Sequence, residues 1–191
     1  MPQPDPFLTT QRLRLRRFTL ADVDHIVALD SNPEVMRYIS FGAPTPRAVI
    51  EHRVLPSWIS YYEREERIGF WAAELLSTDE FIGWFHLRPD RFASEEQELG
   101  YRLRLESWGK GLATEGSLAL VADGFGVSKF RKISARTLLG NLGSQRVMQK
   151  CGLTLEEHFV YPENILRGGT EASRRAVKYS AARDAWLARS S

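Results

Sequence analysis

A single cysteine, Cys151, among 191 residues excludes an internal disulfide and any cysteine-based metal cluster. The four histidines, His25, His52, His86 and His158, are scattered without metal-ligand spacing, so no metal is expected. Apolar residues nowhere run long enough to span a bilayer, and Met1-Pro2-Gln3-Pro4-Asp5-Pro6 has neither the basic nor the apolar region of a signal peptide. The expectation is a soluble cytoplasmic protein with no membrane partner. Charge of neither sign is in excess: 26 Lys and Arg face 24 Asp and Glu, a formal net charge of +2. Tyr and Trp are plentiful but not interleaved with a basic stripe, so no nucleic-acid partner is expected. Internal repeats and low-complexity linkers are also missing. The length suits one α/β domain over residues 1–191 and is too short for two comfortable ones.

What is present is a run of periodic segments. Leu13 and Leu15 alternate with Arg12, Arg14 and Arg16, as in a short half-exposed strand. Asp22–Asp30 and Pro33–Ile39 read as short helices. Thr45-Pro46 opens a longer helix from about Arg47 to Arg67, which Pro56 kinks or splits. Strands follow over Ile68–Leu75, Phe81–Leu87 and Glu98–Leu105, the first two joined by a polar turn at Ser77–Glu80. A glycine turn then feeds a helix whose Leu118, Val121, Ala122 and Phe125 share an apolar face and which ends at Gly124-Phe125-Gly126. Further strands are expected at Lys132–Leu138, Leu155–Val160 and Arg175–Ala181, with Pro162–Thr170 as a hairpin loop. This order implies an α/β (α+β) fold: a mixed, mostly antiparallel central sheet with helices on both faces.

The glycine turn is Trp108-Gly109-Lys110-Gly111-Leu112-Ala113-Thr114-Glu115. It joins a strand to an apolar-periodic helix and directs several unpaired N–H groups one way, where the helix start also carries partial positive charge. Gly109 and Gly111 permit positive φ and close backbone approach. The functional reading is a pyrophosphate cradle; the bland one is a purely steric strand-to-helix turn. Neither familiar phosphate loop fits, because the spacing is wrong for both and Glu115 sits where neither wants an acid. Some thirty residues on, Gly140-Asn141-Leu142-Gly143-Ser144 opens a second helix, on which Ser144, Val147, Met148 and Cys151 share one face. Asn141 and Ser144 are either a helix N-cap or ligand-binding groups.

Glu98-Leu99-Gly100-Tyr101, the Trp108–Glu115 turn, Asn141-Leu142-Gly143-Ser144 and Lys150-Cys151-Gly152-Leu153, taken in order, resemble the GCN5-related N-acetyltransferases (GNAT). Thr10-Gln11-Arg12-Leu13-Arg14-Leu15-Arg16, Tyr179-Ser180 and Arg183-Asp184-Ala185-Trp186 are similar to the ribosomal-protein alanine (RimJ/RimL-like) branch, so the resemblance spans nearly the whole chain. It implies the GNAT acyl-CoA N-acyltransferase fold, with acetyl-CoA as cosubstrate wedged where the sheet splays between two strands. Leu103 main chain would meet pantetheine. Trp108, Gly109, Lys110, Gly111, Leu112, Ala113 and Thr114 would hold the diphosphate, and Asn141 and Ser144 would lie along the arm. Lys110, Arg146 and Lys150 either meet phosphate charge or are simply solvated.

The implied chemistry is direct attack of an amine on the thioester. It needs a neutral amine, charge relief at the carbonyl oxygen and a proton for the departing thiolate. An α-amine with a pKa near ~8 is partly neutral at physiological pH, whereas a lysine near ~10.4 is hardly so. Glu98 is the candidate base, acting through water, or else an acid continuing the polar run Glu95-Glu96-Gln97. The resemblance to this branch implies Ser144 as the candidate to hydrogen-bond or protonate the leaving sulfur; Met148 and Gln149 depart from the pattern, standing in the region where many of the superfamily place a tyrosine. Trp108 stands where Gln or Arg often opens the loop, and Cys151 reads as a packed core thiol.

Tyr38, Phe41, Trp58, Tyr61, Trp71, Trp84 and His86 should wall the acceptor pocket. Trp84, His86 and Tyr101 are the candidate substrate contacts, and His86 is an alternative base. The expected acceptor is a peptide or protein N-terminal α-amine. Aminoglycosides or polyamines are rivals, as is a non-catalytic acyl-CoA-binding module, and a homodimer is left open.

Overall fold

The computed structural model describes residues 6–64 and 67–190. In chain order come β1 (Leu8–Thr9), β2 (Leu13–Arg17), α1 (Val23–Asp30), α2 (Pro33–Ser40), α3 (Arg47–Val49), α4 (Leu55–Ile59), β3 (Gly69–Leu75), β4 (Phe81–Pro89), β5 (Gln97–Leu103), α5 (Leu112–Gly126), β6 (Lys132–Leu138), α6 (Leu142–Lys150), β7 (Thr154–Val160), β8 (Arg175–Ala182) and α7 (Arg183–Ser190). Among the described residues the strands form one sheet in the order β1-β2-β3-β4-β5-β6-β8-β7. Its neighbours are antiparallel except β5 and β6, which run parallel. This is the mixed sheet that the order of elements implied.

Helices cover both faces, for reasons visible in the alternation. On one face Ile26, Leu29, Ile50, Leu55 and Trp58 from α1 to α4 pack on Phe70, Ala72 and Trp84. On the other, Leu112, Leu120, Val121 and Phe125 of α5 pack on Phe85, Leu87, Leu99 and Ile133, together with Met148 of α6 and Trp186 of α7. Pro56 does interrupt the long helix. Residues Ile50–Val54 form a π turn in which Leu55 N–H bonds Ile50 O, and a 3-10 turn at Ser60–Glu63 follows α4. Pro56 has no N–H to give the turn before it, which favours such a wide turn there. The expected continuation toward Arg67 crosses residues 65 and 66, which lie outside the described residues, as do residues 1–5.

Three expectations need correcting. Leu118 and Ala122 are exposed; the buried stripe of α5 is Gly116, Ser117, Leu120, Val121, Gly124 and Phe125. Ser117 and two glycines carry the helix close to the sheet, and hydrophobic patterning does not register them. Arg16 is buried rather than half-exposed, because it pairs with Asp22 at 2.7 Å and Glu74 at 2.6 Å. β5 stops at Leu103, and Leu105–Ser107 forms a 3-10 turn instead of strand.

A Cβ built on Gly116 would lie 2.4 Å from the Phe85 ring. Gly116→Ala is therefore expected to destabilise the fold by about 1–3 kcal/mol through overpacking. Urea unfolding checks this, and an unchanged midpoint would show that the helix can lift without cost.

Candidate active site

β5 and β6 pair only at Gln97–Ile133 and Glu98–Ser134, and beyond those residues the two strands separate. Arg104 N–H donates to Ile82 O at 2.8 Å. Hydrogen-bonded pairs alternate along an antiparallel ladder. Gly100 and Arg102 therefore turn their main-chain groups to β4, while Leu99, Tyr101 and Leu103 turn theirs toward β6. Past Glu98 these groups line the splay, where an extended ligand carrying amides would complete the ladder. Trp108 Nε1 donates to Leu103 O at 2.9 Å, tying the start of the glycine turn to the end of β5.

α5 and α6 both begin beyond the C-terminal ends of these two strands, at the open side of the splay. Gly109 and Gly111 have φ of 72° and 78°, the left-handed region where a side chain is strained. Gly111 is the N-cap of α5 and offers no side-chain acceptor, so the first N–H groups of the helix are left for a ligand. Glu115 does not oppose an anion there. It accepts from Thr10 Oγ1 at 2.6 Å, Arg12 N–H at 2.8 Å and Arg12 Nε at 2.7 Å, and Arg12 NH1 also donates to Lys110 O at 2.9 Å. Arg12 thereby neutralises the acid and braces the loop. Residues 103 positions apart carry this contact, and no local pattern announces it. Lys110, Arg146 and Lys150 are exposed. Lys150 lies in the last turn of α6, about 12 Å along the helix from Leu142.

Asn141 is the N-cap of α6, its Oδ1 accepting from Ser144 N–H at 3.2 Å. The cap uses only the amide oxygen and leaves Nδ2 to donate elsewhere. Tyr101 O–H donates to Ser144 Oγ at 3.2 Å, an arrangement that leaves the serine hydroxyl its own proton to give. Burial pushes the Tyr101 phenol up to about 12, so it stays protonated. A tyrosine hydroxyl thus reaches the start of α6 from β5, a partner that reading along the helix alone missed. Cys151 is fully buried and burial pushes its thiol up to about 12, as a packed core group.

The remaining candidates lie on the other face of the sheet. Glu98, Gly100 and Arg102 pair across with Arg88, His86 and Trp84, and this set faces α1 to α4. Tyr101 therefore does not share a wall with Trp84 and His86. Trp71 is also on the opposite face, stacked on Phe7 at 4.2 Å, so it walls no acceptor pocket. Tyr38 and Phe41 pack separately with Leu138 and Leu166. Trp58, Tyr61 and Trp84 do meet, with Phe70 among them.

Glu98 is 13% exposed and ion-paired with Arg88. Burial pushes its carboxyl above the ordinary range, against the pull of Arg88. His86 is buried, and neither ring nitrogen has a hydrogen-bond partner. Burial, then the charges of Arg88, Arg91 and Arg102, holds its pKa well below the usual histidine range. A neutral imidazole of such low basicity is a poor proton acceptor. A Cβ on Gly100 would lie 2.6 Å from the His86 ring, so the glycine beside Glu98 makes room for this histidine. Among the described residues no group of three or more His, Cys, Asp or Glu is placed to hold a metal ion, and no helix is long and apolar enough to cross a membrane.

Comparison with known proteins agrees with this fold. A family model described as an acetyltransferase (GNAT) domain matches residues 12–154. The chain is similar to an FsC-acetyl coenzyme A-N(2)-transacetylase of Aspergillus fumigatus, 30% identical over 191 residues that cover 95% of this chain and 78% of that protein. A spermidine N-acetyltransferase from Vibrio cholerae, solved with CoA and spermine, superposes with a TM-score of 0.71 at 20% identity over 92% of this chain and 98% of that one. An aminoglycoside acetyltransferase solved with coenzyme A gives a TM-score of 0.73 at 20% identity over 94% and 99%. At these identities the two structures speak for the fold alone.

Proposed function

The chain belongs to the acetyltransferase (GNAT) family, and on that premise we propose that this acetyl-CoA-dependent N-acetyltransferase acetylates the α-amine at a peptide N-terminus, as in the RimJ/RimL-like branch, with residues 1–191 forming one such domain. Acetyl-CoA supplies an activated acyl group whose transfer to a neutral amine releases a thiol. The observation that carries the reading is the splay past Glu98, where main chain of Tyr101 and Leu103 faces a gap entered between two helix N-termini.

Each residue then has a task. Tyr101 and Leu103 N–H groups hold the extended arm, and Gly109 to Thr114 receive the diphosphate on main-chain donors. Asn141 Nδ2 adds a donor beside the arm. Glu98, its pKa raised by burial, accepts the amine proton through water. Ser144, hydrogen-bonded by Tyr101, gives a proton toward the sulfur. An α-amine suits so modest a base because it is already partly neutral near pH 7, its ordinary pKa being about 8. Small-molecule amines are the second reading, favoured by the names of the spermidine and aminoglycoside enzymes that share the fold.

Thiol release from acetyl-CoA tests the reading, with peptides starting Ala, Ser or Met beside spermidine and an aminoglycoside. Turnover with peptides and an acetyl group on the first residue supports it. Turnover confined to the small amines contradicts the peptide acceptor.

Arg12 is a positioning residue in this account. Arg12→Ala is expected to raise KM for acetyl-CoA about three- to tenfold, the cost of an unbraced loop, with a smaller change in kcat. Steady-state kinetics with varied acetyl-CoA read the split, and a fall in kcat at unchanged KM would assign Arg12 elsewhere.

A further inference from the structure

An open cleft of about 680 Å³ lies against α3, the π turn and α4, lined by Val49, Arg53, Val54, Ser57, Trp58 and Arg91. It holds two guanidinium groups and no carboxylate. Arg53 and Arg91 are both exposed and neither has an acid partner among the described residues. Three buried acids on this side of the sheet are already taken: Glu98 by Arg88, Asp30 by Arg102 and Asp90 by Arg136. The lining of the cleft therefore carries positive charge with no carboxylate among its own residues.

A row of packed rings links the wall of the cleft to the proposed base. Trp58, in its wall, meets Trp84 edge-on at 5.1 Å, and Trp84 stacks on His86 at 5.7 Å, beside Gly100 and Glu98. Arg91 follows β4 by two residues, and its charge acts on both His86 and Glu98. A polycationic acceptor entering here would meet two arginines and no carboxylate among the lining residues. An acceptor bearing an anion would be steered in and held by planar forks suited to a carboxylate.

We propose that the amine acceptor carries a carboxylate, received by Arg53 and Arg91 in the cleft beside Trp58, and that the enzyme selects anionic amines over polycationic ones. This deepens the acetyl-transfer reading and rests on it. The carboxylate belongs either to an acidic side chain near a peptide N-terminus or to the α-carboxylate of a free amino acid.

Acetylation rates over a charge series test the proposal: C-terminally amidated tripeptides Ala-Asp-Ala, Ala-Ala-Ala and Ala-Lys-Ala, free aspartate and alanine, and spermidine. The acidic peptide or the free amino acids should exceed the neutral peptide in kcat/KM by at least about tenfold, as one retained charge-assisted contact implies. A preference for the acidic peptide identifies a side-chain carboxylate; a preference for free amino acids alone identifies the α-carboxylate. Arg53→Ala and Arg91→Ala should each shrink that ratio. A neutral or lysine peptide, or spermidine, matching the anionic acceptors would overturn the proposal, as would a ratio that survives in both variants. If nothing in the series is acetylated, the acceptor reading fails separately. Calorimetric binding of N-acetylated Ala-Asp-Ala amide and N-acetylaspartate to the CoA-bound protein then decides: weaker binding in the arginine variants supports the anion site, and no binding or equal binding overturns it.

Discussion

Glu98→Gln is expected to lower kcat about 10²- to 10⁴-fold, the range in which a general base contributes, while calorimetric affinity for acetyl-CoA is retained. The separation follows from alternation along β5: Glu98 faces α1 to α4, whereas the main chain proposed to receive the arm lies in the splay. Glutamine keeps an amide oxygen for Arg88, so the fold should survive, and a thermal melt checks this. The pH profile carries the sign. A base works only after losing its proton, so kcat should rise with pH through the Glu98 pKa. Burial places that limb above the ordinary carboxylate range. The limb should vanish in the glutamine variant. A variant that keeps most of its kcat, or keeps the limb, would remove Glu98 from the proton path.

Asp90→Ala should be the most destabilising of the simple truncations discussed. Its side chain has no exposed surface, and it accepts from Ser134 Oγ at 2.7 Å, Phe92 N–H at 2.7 Å and Ala93 N–H at 3.2 Å while pairing with Arg136. Arg136 is itself only 6% exposed. Removing the carboxylate strands a buried guanidinium, a loss of about 3–5 kcal/mol. Burial alone would raise the Asp90 pKa, but Arg136, Phe92 N–H and Ser134 together hold it below the ordinary range. The stability it contributes is therefore full above the unfolded-state value and lost as pH falls through the folded-state value. Chemical denaturation at neutral and acidic pH reads both effects: the deficit of the variant should narrow on acidification. A loss below ~1 kcal/mol at neutral pH would mean that water replaces the carboxylate there.

Much of the site was legible where chemistry is local. The Gly109 and Gly111 turn, the Asn141 to Ser144 cap and the inward face of half-buried Val147 with buried Met148 and Cys151 need only spacing and φ preference to be read, and the structure shows each of them. Alternation alone put Trp84 and His86 on one side of β4. What failed to show were contacts between distant segments. Arg12 with Glu115, Arg88 with Glu98 and Tyr101 with Ser144 join elements whose adjacency depends on sheet order and register. Trp71 was grouped with Trp84 because aromatic content says nothing about which face a strand residue occupies. The α5 stripe was displaced because Gly116 and Gly124 act by their small size, packing under Phe85, Leu87 and Ile133.

The central claim is that the splay between β5 and β6, with the glycine turn at its mouth, holds the acyl-CoA. Amide hydrogen exchange with and without saturating CoA tests it directly. Slowed exchange at Tyr101, Leu103 and the Gly109–Thr114 amides is the predicted result. Protection confined to other strands, or none in a protein that still turns over acetyl-CoA, would contradict it.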